Sequence, residues 1–136
     1  MKFSISTGCF YSSRIHKDIP SDAIEVAEAE YQLLVTGRNS GQEIKLKNGQ
    51  LTLEYTEEFK EARERGWRAN TLLSIQWIRD RHRDQVELGV ATTITDEQFN
   101  ELLAHLQALR DWPQSEQFPE IEHRPIAPPW IAEQTQ

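Results

Sequence analysis

The sequence predicts an α+β protein with a small N-terminal β-hairpin domain, an antiparallel helical hairpin and an extended, proline-rich C-terminal tail. Three observations support this class: an Asn48-Gly49 turn between alternating runs, a helix-capping pattern at Thr95, and five prolines between positions 113 and 129. A chain of 136 residues buries roughly two-thirds of the surface that its unfolded form exposes, so we expect it to fold without disulfides or a metal. The expected domains are residues 1–55, 56–111 and 112–136.

The first residues alternate in polarity, with Phe3, Ile5, Thr7 and Cys9 on one side. This pattern predicts one strand with a buried face and places Cys9 on that face. The following stretch, residues 20–37, carries a helical apolar stripe and ends at a glycine.

Two structures remain open for the beginning of that stretch. Asp22 and Glu25 have the spacing of a capping box, which would start the helix there. Residues 23–26 are equally compatible with a short strand, in which case the helix starts near Ala27.

A β-hairpin is predicted over residues 44–53. Asn-Gly favours the type I′ turn, because both central residues need positive φ. A two-residue turn sets Leu46 opposite Leu51 and Ile44 opposite Leu53, which gathers the apolar side chains on one face.

Residues 56–111 are predicted to form two antiparallel helices. The first opens with acidic residues that favour a helix N-terminus, and Gly66 marks the position where it would break. The second begins with Thr95 as N-cap and Gln98 three residues on, and continues as an amphipathic leucine stripe until Pro113. The short connection between them favours antiparallel packing.

The charge distribution argues against nucleic acid as a partner. The net charge is −7, and residues 91–136 carry 2 basic and 8 acidic groups, so this part would repel a phosphate backbone. Three arginines alternate with aspartates and are interpreted as a solvated helix face. They are Arg79, Arg81 and Arg83.

No catalytic or metal-binding pattern is present, so we expect no enzymatic activity and no cofactor. The four histidines form no zinc motif, Cys9 is the only cysteine, and no phosphate-binding loop occurs. We also expect no secretory signal and no transmembrane segment, because neither pattern occurs in this sequence, and a single cysteine is typical of a reducing compartment. The expected location is the cytoplasm.

Aromatic side chains at the ends of the proline-rich tail indicate an interaction module. Trp112 and Trp130 flank this tail, and tryptophan is over-represented at binding hot spots. The alternative is that both pin the tail to the helical hairpin. We expect partial docking on the chain's own helices, with Trp130 nearest a partner.

Several motifs, in their order along the chain, resemble phage tail fibre assembly proteins. They are the opening residues 1–8 with Phe10-Tyr11, residues 89–95, Leu109-Arg-Asp-Trp-Pro-Gln114, Phe118-Pro119 and Arg124-Pro-Ile-Ala-Pro-Pro-Trp-Ile131. Two departures are His105-Leu106, where the family has Tyr-Arg, and Trp130-Ile131, where Trp-Pro is common.

The resemblance implies a chaperone that is encoded beside the fibre gene of a tailed phage, a prophage or a phage-tail-like bacteriocin. Such proteins bind the C-terminal, distal part of the trimeric tail fibre in the bacterial cytoplasm, and some remain on the fibre tip. The alternative is a structural virion component permanently attached there. A small hydrolase is the third hypothesis, and it requires a pocket that gathers His82 or His105 with acidic groups. Self-association remains open.

The N-terminal domain is expected to supply part of the partner surface. Its strands must leave at least one unpaired edge, to which an incoming fibre strand could add. Phe10 and Tyr11 are the predicted apolar anchors beside this edge. The predicted partner-binding residues are therefore Phe10, Tyr11, Trp112 and Trp130.

Overall fold

Two small antiparallel sheets and three α-helices make up the fold, which a computed structural model describes for residues 1–136. This mixture of strands and helices agrees with the predicted class. The chain divides into two compact units, residues 1–59 and residues 60–136.

The first sheet has the order β2-β1-β3 with antiparallel pairing throughout. Its strands are β1 (Lys2–Ser4), β2 (Cys9–Tyr11) and β3 (Ile24–Glu25). The single strand predicted through residue 9 is therefore wrong, because the chain turns between β1 and β2, with Gly8 at φ +66°. The turn moves Cys9 to an exposed position instead of the predicted buried one.

The carboxylate of Asp22 holds this turn in place. It accepts hydrogen bonds from the Ser4 hydroxyl at 2.9 Å and from the Ser6 backbone N–H at 2.8 Å. Asp22 therefore forms no capping box. Of the two alternatives for residues 23–26 the strand is observed, and helix α1 (Glu28–Asn39) begins after Ala27.

The predicted hairpin is confirmed, with strands β4 (Gln42–Lys47) and β5 (Gln50–Tyr55). The register pairs Ile44 with Leu53 and Leu46 with Leu51. Asn48 and Gly49 have φ values of 50° and 79°, as a type I′ turn requires.

The core of the first unit lies where the strands meet α1. Phe3, Val26 and Leu34 are buried there, and half-buried side chains from the second sheet, including Ile44 and Leu53, pack against them. The alternating pattern of β4 and β5 therefore turns its apolar face to this core and its charged face to solvent.

The second unit is built on a helical hairpin. Helix α2 (Glu57–Leu88) begins just before the unit boundary and runs through Gly66 without the predicted break. Helix α3 (Asp96–Asp111) starts at the predicted capping box, in which both reciprocal hydrogen bonds form. Two contacts show that the helices run antiparallel. Arg68 donates a hydrogen bond to the Arg110 carbonyl at one end, and His82 stacks on Phe99 at the other.

Aliphatic side chains from both helices form the core of this unit. They are Ile75, Ile78, Ile94, Leu102, Leu106, Leu109 and, from near the C-terminus, Ile131. The leucine stripe of α3 thus faces the core as its spacing predicts.

The C-terminal segment, residues 112–133, is not the extended tail that the prolines predict. It contains three short 3₁₀-helices, at Trp112–Gln114, Ile121–His123 and Pro129–Glu133. Proline excludes an α-helix interior, but its fixed φ is compatible with the first turn of a helix. Contacts with the helical hairpin hold this segment in place.

Candidate functional site

A buried carboxylate on α2 anchors the C-terminal segment. The Glu64 side chain is fully buried, and it accepts hydrogen bonds from Arg124 Nε at 2.7 Å and Nη2 at 2.5 Å. The indole Nε1 of Trp112 also donates to Glu64, at 3.3 Å. The Arg124 guanidinium also lies over the Trp67 ring, 4.3 Å from its centre, so it contacts a carboxylate through its N–H groups and an aromatic ring through its face.

The electrostatics of this cluster follow from the same contacts. The hydrogen bonds from Arg124 lower the pKa of Glu64 despite the opposing effect of burial, and Trp112 adds to the lowering. The pKa of Arg124 is raised in return, chiefly by its hydrogen bonds to Glu64. Glu64 is therefore ionised and paired at neutral pH, which is what a buried charge requires.

Three further hydrogen bonds hold the last residues of the chain, 130–135, on the two helices. Trp130 Nε1 donates to Glu101 Oε2 on α3 at 2.9 Å. Arg81 donates to Gln134 Oε1 at 2.6 Å and to the Thr135 carbonyl at 3.0 Å. The interpretation of Arg81 as part of a solvated face is therefore wrong, because this side chain binds the end of the chain.

The two tryptophans predicted to bind a partner occupy different environments. Trp112 is only 3% exposed, so it offers almost no surface to a partner. Trp130 is half-buried against the core of the unit. Both indoles donate hydrogen bonds to glutamates of the two helices, so both tryptophans pin the segment to the helical hairpin.

The outward face of the segment is formed by other residues. Ile126 is 91% exposed and Ile121 is 45% exposed, and the surrounding acidic side chains are also exposed. Ile126 lies between prolines, and no local pattern in the sequence separates it from Ile131, which is buried. Exposed apolar residues of this kind, on a segment held rigidly by its neighbours, are typical of contact surfaces.

Phe10 and Tyr11 lie on β2 and point to opposite faces of the first sheet. The Phe10 ring is half-buried and packs against Phe3 and Tyr31, with both centroid distances at 4.8 Å. The Tyr11 hydroxyl donates to Thr7 Oγ1 at 3.1 Å. The structure therefore gives Phe10 a core role, and its use by a partner remains a prediction.

A groove of about 430 Å³ at the tip of the helical hairpin bears on the hydrolase hypothesis. His82, Glu87 and Asp96 line it, and His82 Nε2 lies 3.8 Å from Asp96 Oδ1. The other lining residues are Arg83, Val86 and Phe99, so no serine, threonine or cysteine nucleophile is present. His82 Nδ1 has no hydrogen-bond partner that would orient the ring for catalysis.

No cluster of three or more His, Cys, Asp or Glu side chains has the arrangement of a metal site. None of the three helices combines the length and the apolar character needed to cross a bilayer. In comparisons with known proteins, no family model, no curated protein and no solved structure matches this chain.

Proposed function

We propose that this protein is an assembly chaperone for a trimeric tail fibre of a tailed phage, a prophage or a phage-tail-like bacteriocin. It would act without enzymatic chemistry in the bacterial cytoplasm and bind the distal, C-terminal part of the fibre. The observation that carries this proposal is the ordered succession of motifs in residues 109–131, which resembles the C-terminus of that family.

Two structural features support an interaction role for the same segment. Its backbone is anchored by Arg124 and Trp112 to the buried Glu64, so its outward face is preorganised before a partner arrives. That face carries Ile121 and Ile126, whose exposed apolar surface would be covered by a partner.

The physical need for such a protein follows from the topology of fibres. An intertwined trimer is rich in contacts between distant residues, so it folds slowly and exposes apolar surface and strand edges meanwhile. A small protein that covers the distal end during this period would suppress aggregation.

The test is co-expression with the tail fibre polypeptide encoded beside this chain. We expect soluble, SDS-resistant fibre trimer with the protein and insoluble fibre without it. Equal yields of trimer in both cultures would refute the chaperone role. Mass spectrometry of purified particles then addresses the alternative, because a stoichiometric amount of this chain would favour a permanent structural component.

A further inference from the structure

The outer edge of β4 carries backbone groups that nothing in the chain satisfies. Because Lys47 and Gln50 flank a two-residue turn, they form a hydrogen-bonded pair, and every second residue before Lys47 also faces β5. The hydrogen bond from Thr52 Oγ1 to the Lys45 carbonyl fits this assignment. The residues whose N–H and C=O point outward are Gln42, Ile44 and Leu46.

The edge of β2, by contrast, is almost closed. The bond from Val26 N–H to the Met1 carbonyl sets the alternation in this sheet, so the even-numbered residues of β2 and its flanks face outward. The Gly8 carbonyl accepts from Arg38 Nη1 at 3.0 Å, and the Ser12 N–H donates to His16 Nδ1 at 3.0 Å. Only Phe10 is left with free backbone groups, which is too little for an added strand.

Open space lies directly beside the edge of β4. A groove of about 230 Å³ runs along Gln42–Lys45, and its opposite wall consists of Phe3, Gly8 and Arg38. A second copy of the chain would bring its own β5 against the wall, because β4 and β5 are paired.

The charges on β4 define what such a segment must carry. Glu43 is exposed and forms no ion pair, and its cross-strand neighbour is Glu54, another carboxylate. Both Lys45 and Lys47 contact Glu54 rather than Glu43. If the added strand is antiparallel to β4, the residue opposite Glu43 forms a non-hydrogen-bonded pair with it. Side chains approach each other most closely in such pairs.

We propose that this groove binds one extended segment of the partner polypeptide as an added strand on β4. The segment places an apolar side chain opposite Ile44 and a lysine or arginine opposite Glu43. This inference rests on the proposed function for the identity of the partner, a fibre chain, but not for the chemistry of the site. The strand-binding edge is then that of β4, whereas Phe10 and Tyr11, the predicted anchors beside an unpaired edge, lie on β2.

The experiment is an NMR titration of the full-length protein with two peptides that are acetylated and amidated at their ends. The peptides differ at one residue and are Thr-Val-Lys-Val-Thr-Val and Thr-Val-Glu-Val-Thr-Val. We expect the lysine peptide to perturb the amides of Ile44 and Leu46 and slow their exchange. It should bind about two- to fivefold more tightly than the glutamate peptide, the range that a cross-strand charge pair supplies. Glu43→Lys should reverse the order of the two peptides.

Two further variants separate the edge from general electrostatics. Glu116→Lys changes an exposed carboxylate in the second unit and should leave the order of the peptides unchanged. Leu46→Pro removes one outward backbone N–H, and an edge strand tolerates proline. This variant should therefore bind both peptides more weakly.

Three results would overturn the inference. They are no response at Ile44 and Leu46 at millimolar peptide, the same peptide order in Glu43→Lys, and protection of these amides that rises with protein concentration alone, which would mean that a second copy occupies the edge. Because the peptides are not fibre sequences, failure of the protein to promote fibre assembly would refute the proposed function and leave this result standing.

Discussion

Arg124 donates two hydrogen bonds to the buried carboxylate of Glu64, although 60 residues separate them in the sequence. This pair ties the C-terminal segment to the long helix of the second unit. An isolated charge at the position of Glu64 would be costly, so the segment and the helix depend on each other.

Removing only the cation should therefore destabilise the second unit. We expect Arg124→Met to lower the free energy of unfolding of the second unit by about 3 kcal/mol, because it removes both charged hydrogen bonds to a buried carboxylate and leaves only the Trp112 indole and Arg63 Nε at 3.5 Å. The measurement is urea denaturation followed by tryptophan fluorescence.

The matched control is the double variant Glu64→Gln with Arg124→Met, which carries no buried charge. It should be more stable than Arg124→Met alone. If the effects of Arg124→Met and of Glu64→Gln, each measured alone, simply add in the double variant, the two side chains are not coupled.

The same pair predicts a pH dependence. Because the pKa of Glu64 is lowered in the folded protein, its contribution to stability is complete above its ordinary unfolded pKa. That contribution is lost as the pH falls through the lowered folded pKa. We expect the free energy of unfolding of the second unit to decline below about pH 4.5 and to decline less steeply in Glu64→Gln. Parallel pH profiles for the two proteins would contradict this.

Local signals allowed some elements to be predicted from the sequence. The Asn48-Gly49 turn and the Thr95–Gln98 capping box depend on residues within a few positions of each other, and both form as expected. The turn between β1 and β2 was missed because the carboxylate of Asp22 stabilises it from 16 and 18 residues away. No periodicity in residues 3–9 reports that contact.

The same reason explains the error over the C-terminal segment. Its prolines correctly exclude an α-helix, but the choice between an extended tail and a docked segment depends on distant partners. Arg124 meets Glu64 and Trp130 meets Glu101, and neither pairing has a signature in the sequence. Burial of Trp112 follows from this docking, which is why its predicted role as a partner contact does not fit.

Two glycines should respond in opposite ways to alanine. Gly66 lies within α2 with open space where a Cβ would stand, so Gly66→Ala should stabilise the second unit by about 1 kcal/mol through helix propensity.

Gly41 has φ +92°, and a Cβ there would overlap the Phe59 ring. Gly41→Ala should destabilise the first unit by about 2 kcal/mol or more. Thermal denaturation checks both, and a destabilising Gly66→Ala would indicate that the helix is interrupted there after all.

The proposed contact surface can be tested by a matched pair of isoleucines in the C-terminal segment. Ile131 is 8% exposed and belongs to the core of the second unit, so Ile131→Ser should lower the free energy of unfolding by about 2–4 kcal/mol. Ile126 is 91% exposed, and Ile126→Ser should change that free energy by less than about 0.5 kcal/mol.

Fibre assembly should respond to the exposed member of this pair even though stability does not. In co-expression we expect Ile126→Ser to reduce the yield of SDS-resistant trimer, because a partner that covers this side chain loses roughly 2 kcal/mol of apolar burial. Truncation after Arg110 would be a poorer test, since it removes Trp112 and Arg124 together and so takes away the hydrogen bonds that both side chains donate to Glu64. Full trimer yield with a stable Ile126→Ser protein would exclude Ile126 from the fibre contact.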